Sequence, residues 1–275
     1  MGANDGHVYA FDGTGAAPGC PANCTPLWVS ATLSGGNFPV ISSPALVGAP
    51  VGRLIVVGDQ GGITFYYADN NNTAKKAAGD IYWEDHTLGR VESSPIVFGG
   101  IVYVGGNLLG LGPHATYSGY LYGLDPATKT RAWTYYLSDP IWASPAVEYR
   151  AYVGTCFDPS HCPTRPDDYD ILYVAAGKNL YGFDIKNHSN LLVCSGSANN
   201  IGDHSSPTTS PDVLLIGDVA GNLEGFDTSQ CKTGSPTASI NNVVTVPLGT
   251  PIQSSPVIAN GMAYVNTSVG LFALK

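Results

Sequence analysis

Charge is scarce in this chain. Of 275 residues only 12% are charged, with 12 Lys and Arg against 21 Asp and Glu for a net charge of −9. Neutralising phosphates takes clustered cations, so this balance points away from nucleic acid and from anionic membranes. Long apolar runs are missing too: none approaches the roughly 18 residues of a membrane span. The opening Met1-Gly2-Ala3-Asn4-Asp5 lacks the basic start and apolar core of a signal peptide, and the chain as written is expected to be soluble. No Gly-x-Ser-x-Gly elbow and no Cys-x-x-Cys-His haem motif occurs, and His7, His86, His114, His161 and His188 lie apart without metal-ligand spacing. The remaining carboxylates offer no identifiable acid/base pair. Turns such as Asn4-Asp5-Gly6 and Asp59-Gln60-Gly61-Gly62 precede strand-like segments, which excludes phosphate loops.

What is present is a repeat. Ser/Ala-Ser-Pro recurs at Pro44, Pro95, Pro145, Pro207 and Pro256, so successive units are offset by 51, 50, 62 and 49 residues. That period belongs to propeller blades rather than to helical repeats. In the unit after Ser93-Ser94-Pro95, Ile96 to Phe98 and Ile101 to Gly105 read as strands joined by Gly99-Gly100. Tyr120-Leu121-Tyr122-Gly123-Leu124-Asp125 reads as a third strand and Arg131 to Tyr136 as a fourth. Four antiparallel strands make one blade. Proline has no N–H to give a ladder, so its place predicts a first strand on the sheet edge, lining a central channel. The Asp that ends the third strand is expected to accept N–H bonds in the following turn. At 44% hydrophobic the chain excludes disorder, and it is expected to form one domain. The expected blades span 38–86, 91–137, 141–195 and 204–247, with partial blades at 1–31 and 252–275, five to six in all.

These units resemble the pyrroloquinoline-quinone-like propeller repeats, carried here by Ser94-Pro95, Val102-Tyr103-Val104-Gly105, Leu121-Tyr122-Gly123-Leu124-Asp125 and Trp133, and again by Ser255-Pro256 and Leu271-Phe272-Ala273-Leu274. The resemblance covers nearly the whole chain and implies an all-β propeller. The family includes quinone-dependent alcohol dehydrogenases, polyvinyl-alcohol-dehydrogenase-like proteins and a non-enzymatic scaffold of outer-membrane protein assembly, so function must come from the site. Ile141-Trp142-Ala143-Ser144-Pro145 looks like the Trp-bearing repeat of the polyvinyl-alcohol-dehydrogenase-like members. The adjacent-cysteine disulfide of many quinone dehydrogenases is missing, and their calcium ligands cannot be matched.

Six cysteines pair by proximity as Cys20 with Cys24, Cys156 with Cys162, and Cys194 with Cys231 in neighbouring repeats. Such pairing favours an oxidising compartment, extracellular or periplasmic. Asn-x-Ser/Thr sequons stand at Asn23, Asn71, Asn187 and Asn266, the first three in the connection after a third strand, where glycosylation is expected if the protein is secreted.

In a propeller, the residue before each Ser/Ala-Ser-Pro should face the channel mouth. Ile41, Glu92, Trp142, His204 and Gln253 differ in every unit while the serines beside them hardly vary. Glu92, Trp142, His204 and Gln253 are therefore the candidate ligand-binding ring. Asp167, Asp168 and Asp170, in the long insertion after Cys156, are weak calcium candidates because they lack EF-hand spacing. No cofactor is expected; pyrroloquinoline quinone with calcium is the alternative.

The ends are irregular. Strands expected at His7 to Asp12 and Pro26 to Ala31 precede the first whole unit, and the last unit has no fourth strand. Either residues 26 to 31 complete the last blade and leave a surplus strand that pairs elsewhere, including with another copy, or the chain is a piece of a longer propeller. The leading expectation is a secreted, non-catalytic scaffold that binds a protein or glycan partner. A quinone-dependent alcohol dehydrogenase and a glycosylated subunit of an extracellular filament are the alternatives.

Overall fold

A computed structural model describes residues 1–13, 25–32, 38–110, 116–149, 170–186, 191–197, 205–231 and 238–275. Its regular elements are almost all strands, with a 3-10 turn at His86–Leu88, and they fall into two compact units, Met1–Ser144 and Pro145–Lys275.

The first unit opens with β1 (Tyr9–Ala10) and β2 (Trp28–Val29), paired antiparallel. A four-stranded sheet follows, in the order β3 (Ala45–Ala49), β4 (Gly52–Asp59), β5 (Gly62–Tyr67), β6 (Ile81–Asp85). The next is built likewise from β7 (Ile96–Phe98), β8 (Ile101–Leu109), β9 (Tyr117–Asp125) and β10 (Thr130–Leu137). In the second unit β11 (Ala146–Tyr149), β12 (Asp170–Ala176), β13 (Asn179–Asp184) and β14 (Leu191–Ser197) make a third sheet. A fourth holds β15 (Thr208–Ser210), β16 (Val213–Gly217), β17 (Asn222–Asp227) and β19 (Asn241–Pro247). Its short β18 (Ala238–Ser239) crosses over to pair parallel with β14. Three strands, β20 (Val257–Ala259), β21 (Met262–Thr267) and β22 (Gly270–Leu274), end the chain.

Each repeat proline stands immediately before the first strand of its sheet, and every such strand lies on the edge. The missing N–H therefore disturbs no ladder. The aspartates at the ends of third strands close the next turn as expected. Asp125 accepts from the N–H of Ala127 at 2.8 Å, Asp184 from Lys186 at 2.9 Å and Asp227 from Ser229 at 2.8 Å. Asp69, two residues past β5, does the same for Asn71 at 2.9 Å.

The two serines of the motif have separate roles. In the first unit the first serine holds its own blade: Ser42 Oγ donates to the Gly58 carbonyl and accepts from the Gly58 N–H, and Ser93 does both with Gly105, whereas Ser205 accepts from the Gly217 N–H and donates to the Ser254 carbonyl of the next repeat. The second serine ties neighbouring blades. Ser94 Oγ accepts from the N–H of Ser43, and Ser144 Oγ from that of Ser94, both at 2.8 Å; in the second unit Ser255 Oγ accepts from Ser206 at 3.1 Å.

Packing repeats as regularly. Two residues before the first serine stands Val40, Val91, Ile141 or Ile252, set so close to Gly2, Gly58, Gly105 and Gly217 respectively that a Cβ on the glycine would fall within 2.4 Å of a side-chain carbon. The N–H groups of Val40, Val91 and Ile252 donate to the carbonyls of Ala3, Asp59 and Asp218, the residues after those glycines. Behind the first of the complete joints Leu54, Val56, Ile63 and Phe65 meet Leu88, Val102, Val104, Tyr122 and Leu124, all 1% exposed or less. Each such side chain contributes about 1.5–3 kcal/mol by leaving water. Middle strands are covered on both faces, which is why all six residues of β5 are buried.

The N-terminal strands correct one expectation. Leu27 and Ser30 donate to the carbonyls of Ala10 and Val8, so this segment pairs with the strand before it, and that strand is not a surplus one left without a partner. Val8 bridges Gly2 on the other side, leaving β1 flanked twice within the chain. The open-edge argument for self-assembly therefore has no support in β1. Packing against Val40, Val57 and Tyr66 holds these strands where they are.

Candidate functional site

The residues before the repeated serines are placed by the same joint that holds the blades. The 3-10 turn ends at Gly89, whose φ of +74° suits glycine and where a Cβ would stand only 2.4 Å from the Asn107 carbonyl oxygen. The chain can thus lie against β8, where Arg90 and Asn107 exchange backbone hydrogen bonds of 3.0 and 2.8 Å. The buried Asn107 side chain then grips the next segment: its Oδ1 accepts from the Ile141 N–H at 2.7 Å and its Nδ2 donates to the Ile141 carbonyl at 2.8 Å. Glu92 and Trp142 are presented from two neighbouring segments fixed to one strand.

Between them stands Arg90. It forms an ion pair with Glu92, and its guanidinium carbon lies 5.8 Å from the centre of the Trp142 ring. Tyr117, the first residue of β9, meets the same indole edge-on with centroids 5.4 Å apart. A cleft of about 290 Å³ opens beside this group, bordered by Gln60, Arg90, Asn107, Leu109 and Tyr117. Arg90 stays one-third exposed and Leu109 more than half. The arrangement offers an aromatic plane, a guanidinium whose charge Glu92 offsets, and an apolar rim. It holds no nucleophile beside a base.

Gln253 lies in the second unit, where it borders a cleft of about 420 Å³ with Ser254, Asn266 and Thr267. His204 lies outside the described residues, as do Cys20, Cys24, Cys156, Cys162, Asp167, Asp168, Asn23 and Asn187. Asp170 begins β12 opposite Tyr149. Among the described residues no three His, Cys, Asp or Glu side chains converge as metal ligands, and no helix is long and apolar enough to cross a membrane. Cys194 and Cys231 form a disulfide, the pairing expected for them. Asn71 is exposed in the connection between β5 and β6, and Asn266 is exposed within β21.

Sequence reasoning missed Arg90 and Tyr117. Arg90 precedes a candidate position by two residues and is one of only 12 cations, so extending the comparison of repeats upstream would have found it. Tyr117 reaches Trp142 only through the pairing of β8 with β9.

No family model matches the chain, and no curated protein matches it in sequence. Solved structures do resemble it. BamB from Moraxella catarrhalis aligns over 98% of this chain and 67% of its own, with a TM-score of 0.55 and 14% identity. A chain of the mitotic checkpoint complex aligns over 100% of this chain and 69% of its own, with a TM-score of 0.60 and 14% identity. Both neighbours are propellers, and with the four-stranded antiparallel sheets they define the fold class: an all-β propeller.

Proposed function

We propose that this protein is an exported, non-catalytic propeller of the pyrroloquinoline-quinone-like type that acts as a scaffold for a protein partner, with the group around Trp142 as its contact. The observation that carries this reading is the convergence of Arg90 and Tyr117 on one half-buried indole, with Glu92 paired to Arg90. Trp, Tyr and Arg are the residue types that dominate binding energy at protein interfaces, and a neutralised ion pair adds orientation without a strong field. Propeller neighbours support an interaction role in general, and the Cys194–Cys231 disulfide fits a periplasmic or extracellular location. Asn71, exposed beside an exposed Thr73, is the protein's glycosylation site.

In this reading no quinone is held, because a cofactor bearing carboxylates would compete with Glu92 for Arg90. The test is crosslinking of the exported protein in its native host, comparing wild type with Trp142→Ala and Arg90→Glu. A partner captured by wild type and lost at least tenfold from both variants is the expected result. Equal capture by all three, or dye-linked alcohol oxidation after addition of quinone and calcium, overturns the proposal.

A further inference from the structure

The face that the β3–β6 sheet turns toward β1 and β2 gathers several side-chain oxygens. Val57 opposes Thr64, Thr64 opposes Glu84, and residues two apart on a strand share a face, so Asp59, Thr64, Tyr66 and Glu84 stand together. Val8, Val40 and Trp28 close over them. Asp59, Thr64 and Tyr66 are wholly buried. Asp59 Oδ1 accepts from the Gly61 N–H at 2.6 Å, but its Oδ2 has no hydrogen-bond partner, and the Thr64 Oγ1 and Tyr66 hydroxyl lie near each other and near the Ser30 hydroxyl without a well-aligned bond.

One such orphan costs about 1–3 kcal/mol and a carboxylate oxygen more, so three on one face call for an occupant. Its charge follows from the surroundings. Glu84 adds a second carboxylate to that face, and the His86 ring lies beside it, with Nε2 3.7 Å from Glu84. Among the described residues no lysine or arginine bonds to Asp59. Burial raises the Asp59 carboxyl, as expected of a charge with no counterion. Water would satisfy the hydroxyls and leave the negative charge in place; a cation answers both. A carboxylate and two hydroxyls are hard oxygen ligands, and a divalent ion would ask for six to eight oxygens with more carboxylates among them.

We infer that Asp59 Oδ2, Thr64 Oγ1 and Tyr66 OH hold a monovalent alkali cation of about the size of sodium, which fastens the N-terminal strands to the first complete blade. The site uses none of the side chains around Trp142, although Gln60, next to Asp59, borders the cleft beside that group.

Thermal melting of the full chain at pH 8, at one ionic strength in sodium, potassium or choline chloride, tests it. A bound ion stabilises only the folded state, so wild type should melt several degrees higher in an alkali salt than in choline. Asp59→Asn should melt alike in all three. Tyr66→Phe keeps the ring and removes one ligand, and should move the midpoint of the sodium dependence at least tenfold upward; it serves where Asp59→Asn does not fold. Identical wild-type melting in the three salts overturns the inference, as does full alkali dependence in Asp59→Asn. A high-resolution crystal structure in sodium gives an independent reading: a peak ringed by Asp59 Oδ2, Thr64 Oγ1 and Tyr66 OH at sodium–oxygen distances supports the site, and ordered water at hydrogen-bond distances, or no peak, refutes it.

Discussion

Ser94 Oγ accepts a hydrogen bond of 2.8 Å from the backbone N–H of Ser43, 51 residues earlier in the chain. Ser94 in turn gives its own N–H to Ser144 Oγ at the same distance, so one residue is acceptor to the blade before and donor to the blade after. Ser94→Ala should cost about 1 kcal/mol, the net value of one such bond. Ser93→Ala should cost more, because it leaves both the N–H and the carbonyl of a buried Gly105 without their partner. Urea unfolding with fitted midpoints ranks the two, and the opposite order would show that the bonds within blades matter less than those between them.

Glycine at position 58 is required by packing rather than by backbone freedom. A Cβ there would stand 2.2 Å from Val91 Cγ1, and the Gly58 backbone is not in the left-handed region. Gly58→Ala should lose about 1–3 kcal/mol through overpacking. Adding Val91→Ala should recover part of that loss, which additive effects of two destabilising changes cannot produce. A double-mutant cycle in urea measures the coupling.

Asp85 receives two bonds from the Arg131 guanidinium, at 2.7 and 2.8 Å, across the joint between the first two complete blades. Burial acts to raise this carboxyl, but the Arg131 bonds and the Thr87 hydroxyl and N–H outweigh it and hold it below the ordinary range. A lowered folded-state value means that the contribution is present above the unfolded value of about 3.9 and disappears as pH falls through the folded one. Wild type should therefore lose stability toward pH 3 faster than Arg131→Met. Melting temperatures between pH 6 and pH 3 decide it; parallel curves would remove Asp85 from the account.

Tyr66, Tyr103 and Tyr122 are each pushed up to about 12 by burial. The folded chain holds these protons more tightly than the unfolded chain, so their contribution is complete below pH 10 and is lost as pH climbs from 10 toward 12. Phenolate absorbance should rise together with the loss of far-ultraviolet β signal in that window. Smooth titration of every tyrosine before any unfolding would contradict the prediction.

The disulfide between Cys194 and Cys231 spans 37 residues and, by chain entropy, is worth about 4 kcal/mol. Paired Cys194→Ser and Cys231→Ser changes should lower the melting temperature, and added reductant should bring wild type to the same value. A reductant effect that persists in the double variant would point to the other cysteines.

Much of the architecture was legible because the repeat writes it in local chemistry. A proline can begin an edge strand but not sit inside a sheet, and an aspartate at a strand end closes a turn, so both positions read directly from the residues. The joints were less legible. That Val91 seats on Gly58 depends on which faces of two sheets meet, and spacing along one strand does not carry that information. The parallel pairing of β18 with β14 was invisible for the same reason: two residues, Ala238–Ser239, carry no periodicity. At the candidate site Glu92 and Trp142 stood out as divergent positions in a constant frame, whereas Arg90 and Tyr117 became visible only once β8 held the loop and β9 together. Thr64, Tyr66 and Asp59 looked like ordinary strand and turn residues until the fold buried them together on one face.

The recurring joint has a further consequence for how such a chain can change. Since Val40, Val91, Ile141 and Ile252 all dock on a glycine in the same manner, the fastening carries no address: a module copied from one place would find an acceptable seat in another. Lengthening by duplication then requires no new solution to packing. Individuality is confined to the residue between the docking side chain and the serine, where Glu92, Trp142 and Gln253 have been free to differ.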